Sequence, residues 1–340
     1  MVRENVDILI NFTLSKTHLM YVEAFLHNLK LKNIQINKIF VRQSKGKFYA
    51  FSGVTNEDYN YFLGSAWIPV DDNQRKIKLF DYLMRKGAGK KLYYLHIGYL
   101  NHESILSTDM LLSYKIVHNI IIPEGIGSSG NLLTKLSATK LELPNIKLRK
   151  FFKKELRNNL ICDLFLKKSK FLLFDVKSNI NPMIKEYVLY KNKNYVHMEN
   201  HLIKKVLFLS QPFVEMNVIS KDDYILIIKK LGSELDRIGY SLIVRPHPAE
   251  YINKYDGIAN LDTDFSLPIE LLVSSPYTII GFFSTSQINL AAIYGMKTYS
   301  LFDERISNYY KSKMQENILN RYCGKAKTIE QISLSLQRDL

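Results

Sequence analysis

Four short segments of the chain combine residue types and placements that could do chemistry. In Ile120-Ile-Ile-Pro-Glu124-Gly an apolar run ends on a carboxylate, which then enters a glycine-rich loop through Gly125, Gly127 and Gly130. A carboxylate partly withdrawn from water at such a strand end has a raised pKa and takes a proton from a hydroxyl, the task of a general base. Spacing alone leaves a second reading open, a loop carboxylate satisfied by neighbouring backbone N–H groups. The Gly125-x-Gly127-x-x-Gly130 spacing matches the dinucleotide fingerprint by pattern only. That fingerprint belongs to an early strand-helix turn with an acid about twenty residues on, a place held here by Glu142 in a Pro-flanked polar segment.

The second segment is Val244-Arg-Pro246-His247-Pro248. Two prolines restrict the backbone on either side of one histidine and hold its imidazole in a defined direction, which suits hydrogen bonding or proton donation to a phosphate. A structural histidine is the competing reading. The third is Gly281-Phe-Phe-Ser284-Thr285-Ser286, a strand running into a helix whose first turn is rich in hydroxyls. Free N–H groups and the helix dipole make such an end an anion site, although Ser and Thr are also ordinary N-caps. The fourth, Leu267-Pro-Ile-Glu270, puts an acid in the first turn of a short helix, which by itself is favourable dipole chemistry.

Ligands in open α/β sheets bind beyond the carboxyl ends of strands, so these segments need a sheet to carry them. Alternation of apolar runs and helical patterns supplies one. Strands are predicted at residues 6–12, 34–41, 92–97 and 119–122, with helices at 18–30, 74–85 and 108–116 between them, the order of a parallel sheet. The pattern then changes between Asn145 and Lys170 to a basic amphipathic helix, in which Lys147, Arg149, Lys150, Lys153, Lys154 and Arg157 surround Phe151 and Phe152. Residues 177–204 have few periodic cues and read as the linker. From Val206 the strand-turn-helix order restarts. Strands are expected at 206–209, 242–244, 278–283 and 298–302, with helices from Ser220 (Ser220 and Asp223 resembling a capping box, Gly239 a C-terminal cap), at 268–273 and at 284–294. The expected domains are 1–200 and 201–340, each Rossmann-like, which together describe the GT-B architecture with parallel sheets facing a central cleft.

Composition bounds the rest. With 340 residues and 46% hydrophobic content the chain has enough apolar mass for two packed domains, which excludes a disordered class. Cys162 and Cys323 stand in different halves without Cys/His clustering, so neither a zinc site nor a disulfide framework is expected. Neither a secretory leader nor a membrane span is read from the apolar runs, and a cytoplasmic place is expected, at most peripheral on a membrane face. The formal charge of +15 asks for an anionic partner. A nucleic acid would fit the charge, yet no recognised binding module is present and nucleic acid is not expected. The Lys147 to Arg157 helix is expected to serve an anionic membrane or an acidic glycan instead, each Lys or Arg near such a membrane adding ~1 kcal/mol.

In this order, Glu124-Gly125, His247-Pro248, Pro268-x-Glu270 and Ser284-Thr285-Ser286 resemble the motifs of bacterial GT-B sialyltransferases, the group of lipooligosaccharide sialyltransferases and capsular polysialyltransferases. Thr13-Leu-Ser15-Lys-Thr17-His18 and Ser210-Gln211-Pro212 resemble the first-strand turns of the two domains in that group. One position departs, Pro123 standing where the family's first acid is expected. The resemblance implies that Glu124 is the general base, that His247 contacts the phosphate of CMP-sialic acid and helps the leaving group, that Ser284, Thr285 and neighbouring Ser286 bind that phosphate, and that Glu270 holds the ribose hydroxyls. Pro248, Ser210 and Gln211 complete the implied donor contacts. The N-terminal domain would then face the acceptor, a cell-surface glycan or glycolipid, and transfer from the CMP-sugar donor would invert the anomeric centre without a cofactor. Another CMP-activated nonulosonic acid, pseudaminic or legionaminic, fits the same motifs. Asp262-Thr-Asp264 invites a metal, but a one-phosphate donor presents less charge to neutralise than a pyrophosphate, and no metal is expected.

Overall fold

The computed structural model describes residues 4–11, 15–42, 54–64, 67–70, 91–97, 116–122, 167–171, 173–175, 177, 179–196, 204–306 and 313–338. The chain divides into two compact units, with the change between Leu173 and Phe174. This lies before the boundary at residue 200 read from the sequence, for a local reason. Phe174 bridges to Ile180, and the helix that follows packs on two helices of the second unit.

The first unit holds a six-stranded, wholly parallel sheet in the order β3-β2-β1-β4-β5-β6. Its strands are β1 (Asn5–Asn11), β2 (Gln35–Arg42), β3 (Trp67–Val70), β4 (Lys91–Ile97), β5 (Ile116–Ile122) and β6 (Lys167–Lys170). Val6, Ile8, Leu9 and Ile10 of β1 are all buried, the run expected of a parallel strand covered on both faces. Helix α1 (Lys16–Leu31) starts earlier than the predicted His18 because Ser15 caps it, accepting from the His18 N–H at 3.3 Å. Its Phe25 packs edge-on against Tyr93 and Phe171. Helix α2 (Asn56–Leu63) carries a full capping box between Thr55 and Asp58. The predicted helices 74–85 and Lys147 to Arg157 lie outside the described residues, as does 108–115 of the third, whose last residue opens β5.

His18 is buried, and burial lowers its pKa from the ordinary 6.5 to about 4. Folding therefore favours the neutral ring, and the sign follows. The stabilising term is complete above 6.5 and is lost as pH falls toward 4, by roughly 3 kcal/mol over the interval. Urea unfolding of the wild type between pH 4 and 7 should show this loss, and His18→Gln should show less of it; parallel curves for the two proteins would remove His18 as the cause.

The second unit holds a five-stranded parallel sheet, ordered β11-β10-β7-β8-β9. Its strands are β7 (Lys205–Leu209), β8 (Ser241–Arg245), β9 (Asn260–Leu261), β10 (Thr278–Gly281) and β11 (Thr298–Ser300). Residues 182–191, read as linker, form helix α3 (Pro182–Lys191), with Asn181 as its cap and Pro182 in its first turn. Helices α4 (Lys221–Arg237), α5 (Ile269–Leu272), α6 (Thr285–Tyr294), α7 (Lys313–Cys323) and α8 (Ile329–Gln337) follow. The Ser220 cap forms with the Asp223 N–H at 3.1 Å, but the Asp223 carboxylate bonds the Ser220 hydroxyl, so only half of the capping box is made. The core joins Val206, Phe208, Val244 and Ile280 to Ile227, Leu231 and Leu235 of α4. Phe282 is fully buried and meets Phe208 and Phe213 edge-on. Truncation of such a ring costs about 3–5 kcal/mol, enough to fix the turn that follows it.

Candidate functional site

Register brings three of the sequence-predicted segments together. Gly281 of β10 pairs with Leu209 of β7, and Leu209 pairs with Arg245 of β8, so three adjacent strands end side by side. The residues that follow are Phe282 to Ser286, Ser210-Gln211 and Pro246-His247-Pro248. From β7 the chain steps outward to β8 and β9, then returns to β10 on the other side of β7. The crevice beyond the carboxyl ends at such a reversal is where open parallel sheets bind ligands.

The β10 end is built for close approach. A side chain on Gly281 would come within 3.0 Å of Gln287 Oε1 and 3.1 Å of the Leu209 carbonyl, so glycine lets the first turn of α6 sit against the sheet. Phe283 then takes a left-handed φ of 61°, a costly conformation for a bulky residue and one that gathers at functional turns. Ser284 occupies the N-cap position but makes no side-chain cap hydrogen bond. Its hydroxyl and the helix dipole thus point to the same use, the binding of an anion, with half-buried Thr285 and Ser286 beside it.

Glu270 lies in the first turn of α5 and is fully buried. Asn289 of α6 donates to its Oε1 at 2.7 Å, which ties the carboxylate to the helix that carries Ser284. Oε2 has no hydrogen-bond partner among the described residues. A buried carboxylate oxygen without a donor is costly, and a ligand hydroxyl would satisfy it.

At the β8 end, half-buried His247 stands between buried Pro246 and exposed Pro248. The Ala249 N–H donates to His247 Nδ1 at 3.1 Å, which assigns the ring proton to Nε2. Burial lowers the pKa of the ring to about 4, with Glu215 opposing and Lys254 adding to the shift. The imidazole is therefore neutral at pH 7 and offers one directed N–H, and an anion beside it would draw its pKa upward. Arg245 turns away from the strand end, pairing with Asp262 Oδ2 and the Asp264 carbonyl at 2.6 Å each and stacking over Phe265. The Asp264 carboxylate accepts from the Ser266 N–H and hydroxyl. Both acids of the Asp-x-Asp are thus engaged by protein groups.

At the β7 end the Ser210 hydroxyl faces inward. It bonds Tyr224 Oη at 2.6 Å, Tyr255 Oη at 2.5 Å and Glu250 Oε1 at 2.8 Å, and the Ser210 N–H donates to the Arg245 carbonyl at 3.0 Å, so hydroxyl and backbone alike are engaged within the protein. Gln211 folds back onto the Ser210 carbonyl at 3.0 Å. Around Ser210 lies a polar cluster that the sequence did not point to. Glu250 also accepts from Lys254 Nζ at 2.6 Å, and Glu215 takes the same ammonium at 3.1 Å. The i, i+4 spacing of Glu250 and Lys254 was the one visible sign of it. Glu124 lies outside the described residues; the strand leading to it, β5, ends at buried Ile122.

A family model described as alpha-2,8-polysialyltransferase matches residues 75–303, more than half of the chain. Among solved structures, a sialyltransferase from Photobacterium damsela is similar at a TM-score of 0.50 and 12% identity, over 97% of this chain and 81% of that one. A protein described as a UDP-N-acetylglucosamine 2-epimerase from Listeria monocytogenes is similar at a TM-score of 0.53 and 9% identity, over 98% of this chain and 88% of that one. At such identities the likeness is one of fold, and the fold is GT-B. A search of curated proteins finds no match. With the family model matching about two thirds of its length and reaching into both units, the chain belongs to the alpha-2,8-polysialyltransferase family.

Proposed function

We propose that the protein transfers sialic acid from CMP-sialic acid to a glycan hydroxyl by a single displacement. The observation that supports this most is that β10, β7 and β8 end in register, so that the Ser284 turn and the His247 turn follow level strand ends on either side of β7. In that crevice the helix N–H groups and the hydroxyls of Ser284, Thr285 and Ser286 receive the CMP phosphate, while His247 Nε2–H donates to it. Glu270 Oε2 accepts from a ribose hydroxyl. The acceptor oxygen attacks the anomeric carbon of the sialyl group as the bond from that carbon to the phosphate oxygen breaks. CMP leaves with the electron pair, Glu124 takes the acceptor proton, and the anomeric configuration inverts. Charge that grows on the departing phosphate is where fixed donors lower the barrier most.

The family description favours a sialylated acceptor and an α-2,8 linkage, consistent with a capsular polysaccharide or lipooligosaccharide. The basic segment Lys147 to Arg157, outside the described residues, would serve that acidic glycan or the membrane that bears it. Among the described residues no helix is long and apolar enough to cross a membrane.

A panel of CMP-sugars with a sialylated oligosaccharide tests this reading. CMP-sialic acid should give acceptor-dependent CMP release that persists in EDTA. Preference for another nine-carbon CMP-sugar would change the sugar and keep the site. Loss in EDTA with rescue by manganese would bring Asp262 and Asp264 back as metal ligands, and no CMP release from any donor would overturn the proposal.

A further inference from the structure

Behind the strand ends, the carboxylate of Glu250 reaches two of the three turns at once. Its side chain is wholly buried, with Lys254 Nζ buried beside it. Oε2 accepts from the backbone N–H of His247, and Oε1 from the Ser210 hydroxyl at 2.8 Å, the Tyr255 hydroxyl at 3.0 Å and Lys254 at 2.6 Å. The Glu250 N–H donates in turn to the His247 carbonyl at 2.9 Å, so residues 247–250 close into a loop fastened by backbone and side chain together. Inside that loop the Ala249 N–H holds Nδ1 of the imidazole.

Such a cluster is poorly explained by stability. Burying two carboxylates with one ammonium costs desolvation that apolar residues would avoid, so a buried ion pair is weak testimony for stabilisation. The desolvation cost shows in Glu250 itself, whose pKa is raised by burial against the opposing pull of Lys254. The cluster is nonetheless well satisfied. Lys254 is held by Glu250 and Glu215 and lies 5.0 Å and 5.2 Å from the ring centroids of Tyr224 and Tyr255. A fully satisfied buried polar network rigidifies its surroundings and fixes one arrangement of the groups it joins.

Resting on the donor-site reading above, we propose that Glu250 is a positioning residue for His247, its carboxylate tying the loop after β8 to Ser210 at the end of β7 so that the Nε2–H stays directed at the phosphate position. Lys254 and Glu215 hold the carboxylate in place. Errors of about 1 Å in a reacting group can cost ~100-fold, so loosening this tie should be felt in turnover although Glu250 itself touches no substrate.

Glu250→Gln tests it by replacing one accepting oxygen with a donor while keeping shape. The readout independent of any reaction is an NMR titration of the His247 ring. In the wild type the ring should stay neutral down to about pH 4, and in Glu250→Gln it should titrate closer to 6.5 as it swings into water. Tyr255→Phe, which removes a hydroxyl from Glu250 but leaves the link to His247, should titrate as the wild type does. With CMP-sialic acid, Glu250→Gln should lower kcat by between about ten- and a hundredfold. Should that variant fold poorly, Glu250→Asp keeps the charge and shortens the reach, and the same outcomes apply. An unchanged His247 titration in the folded variant, or an equal shift in Tyr255→Phe, would overturn the proposal. A shifted titration in a protein whose wild type releases no CMP would instead keep it and overturn the donor reading.

Discussion

His247→Ala is expected to lower kcat by about 100- to 1,000-fold while the protein stays folded. The size follows from removing one fixed donor aimed at charge that develops as CMP departs. Folding should survive because the ring is half-buried at a strand end, and its backbone N–H, which Glu250 uses, is retained in Ala. The neutral Nε2–H tautomer held by Ala249 makes a further distinction. If His247 acts as a hydrogen-bond donor, His247→Asn should recover part of the loss, whereas transfer of a proton to the phosphate could not be recovered by an amide. Steady-state rates for the three proteins, with circular dichroism to show folding, measure this. A folded His247→Ala protein with wild-type turnover would remove the residue from the reaction.

Glu124→Gln should reduce transfer by about 100- to 10,000-fold, the span usual for loss of a general base. Donor affinity should hardly change, because the donor contacts assigned above all lie in the second unit. Hydrolysis of CMP-sialic acid by water should fall less than transfer to the glycan, since an attacking water can pass its proton to bulk solvent whereas the glycan hydroxyl held in the site relies on Glu124 to take it. Product analysis of both reactions in one assay gives the ratio. Equal losses in the two reactions, together with a raised donor KM, would place Glu124 in donor binding instead.

How far these residues could be found from sequence depended on whether burial was local or tertiary. Strand β7 and helix α4 were legible because apolar runs and the Ser220 cap announce them within a few residues. Strand β6, Lys167-Lys-Ser-Lys, has no apolar residue. Its strand form comes from pairing with β5 at one edge of the sheet. The edge strand β3 carries Pro69, which ordinarily argues against a strand, and it too borrows its register from a neighbour. Helix α3 buries little more than Ile184, Tyr187 and Val188, too few for a visible period among its lysines and asparagines. Asn181-Pro182 was nonetheless a fair start signal.

The site divides in the same way. His247 between prolines and the run Ser284 to Ser286 draw notice through their adjacent residues, so the sequence alone singles them out as candidates. Glu250 did not stand out, because the cluster around it joins three separate segments, Ser210, Tyr224 and the pair Lys254-Tyr255, and only the folded sheet gathers them. The left-handed turn at Phe283 was equally hidden, since nothing in an aromatic residue marks a positive φ. For the same reason the strand predicted to run to residue 283 stops at Gly281.

The most direct test of the donor site is a crystal structure with CMP bound. The phosphate should lie at the N-terminus of α6, within hydrogen-bonding distance of the Ser284 turn and of His247 Nε2, with a ribose hydroxyl on Glu270 Oε2. CMP bound away from the ends of β10, β7 and β8, with the Ser284 turn and His247 untouched, would contradict the account.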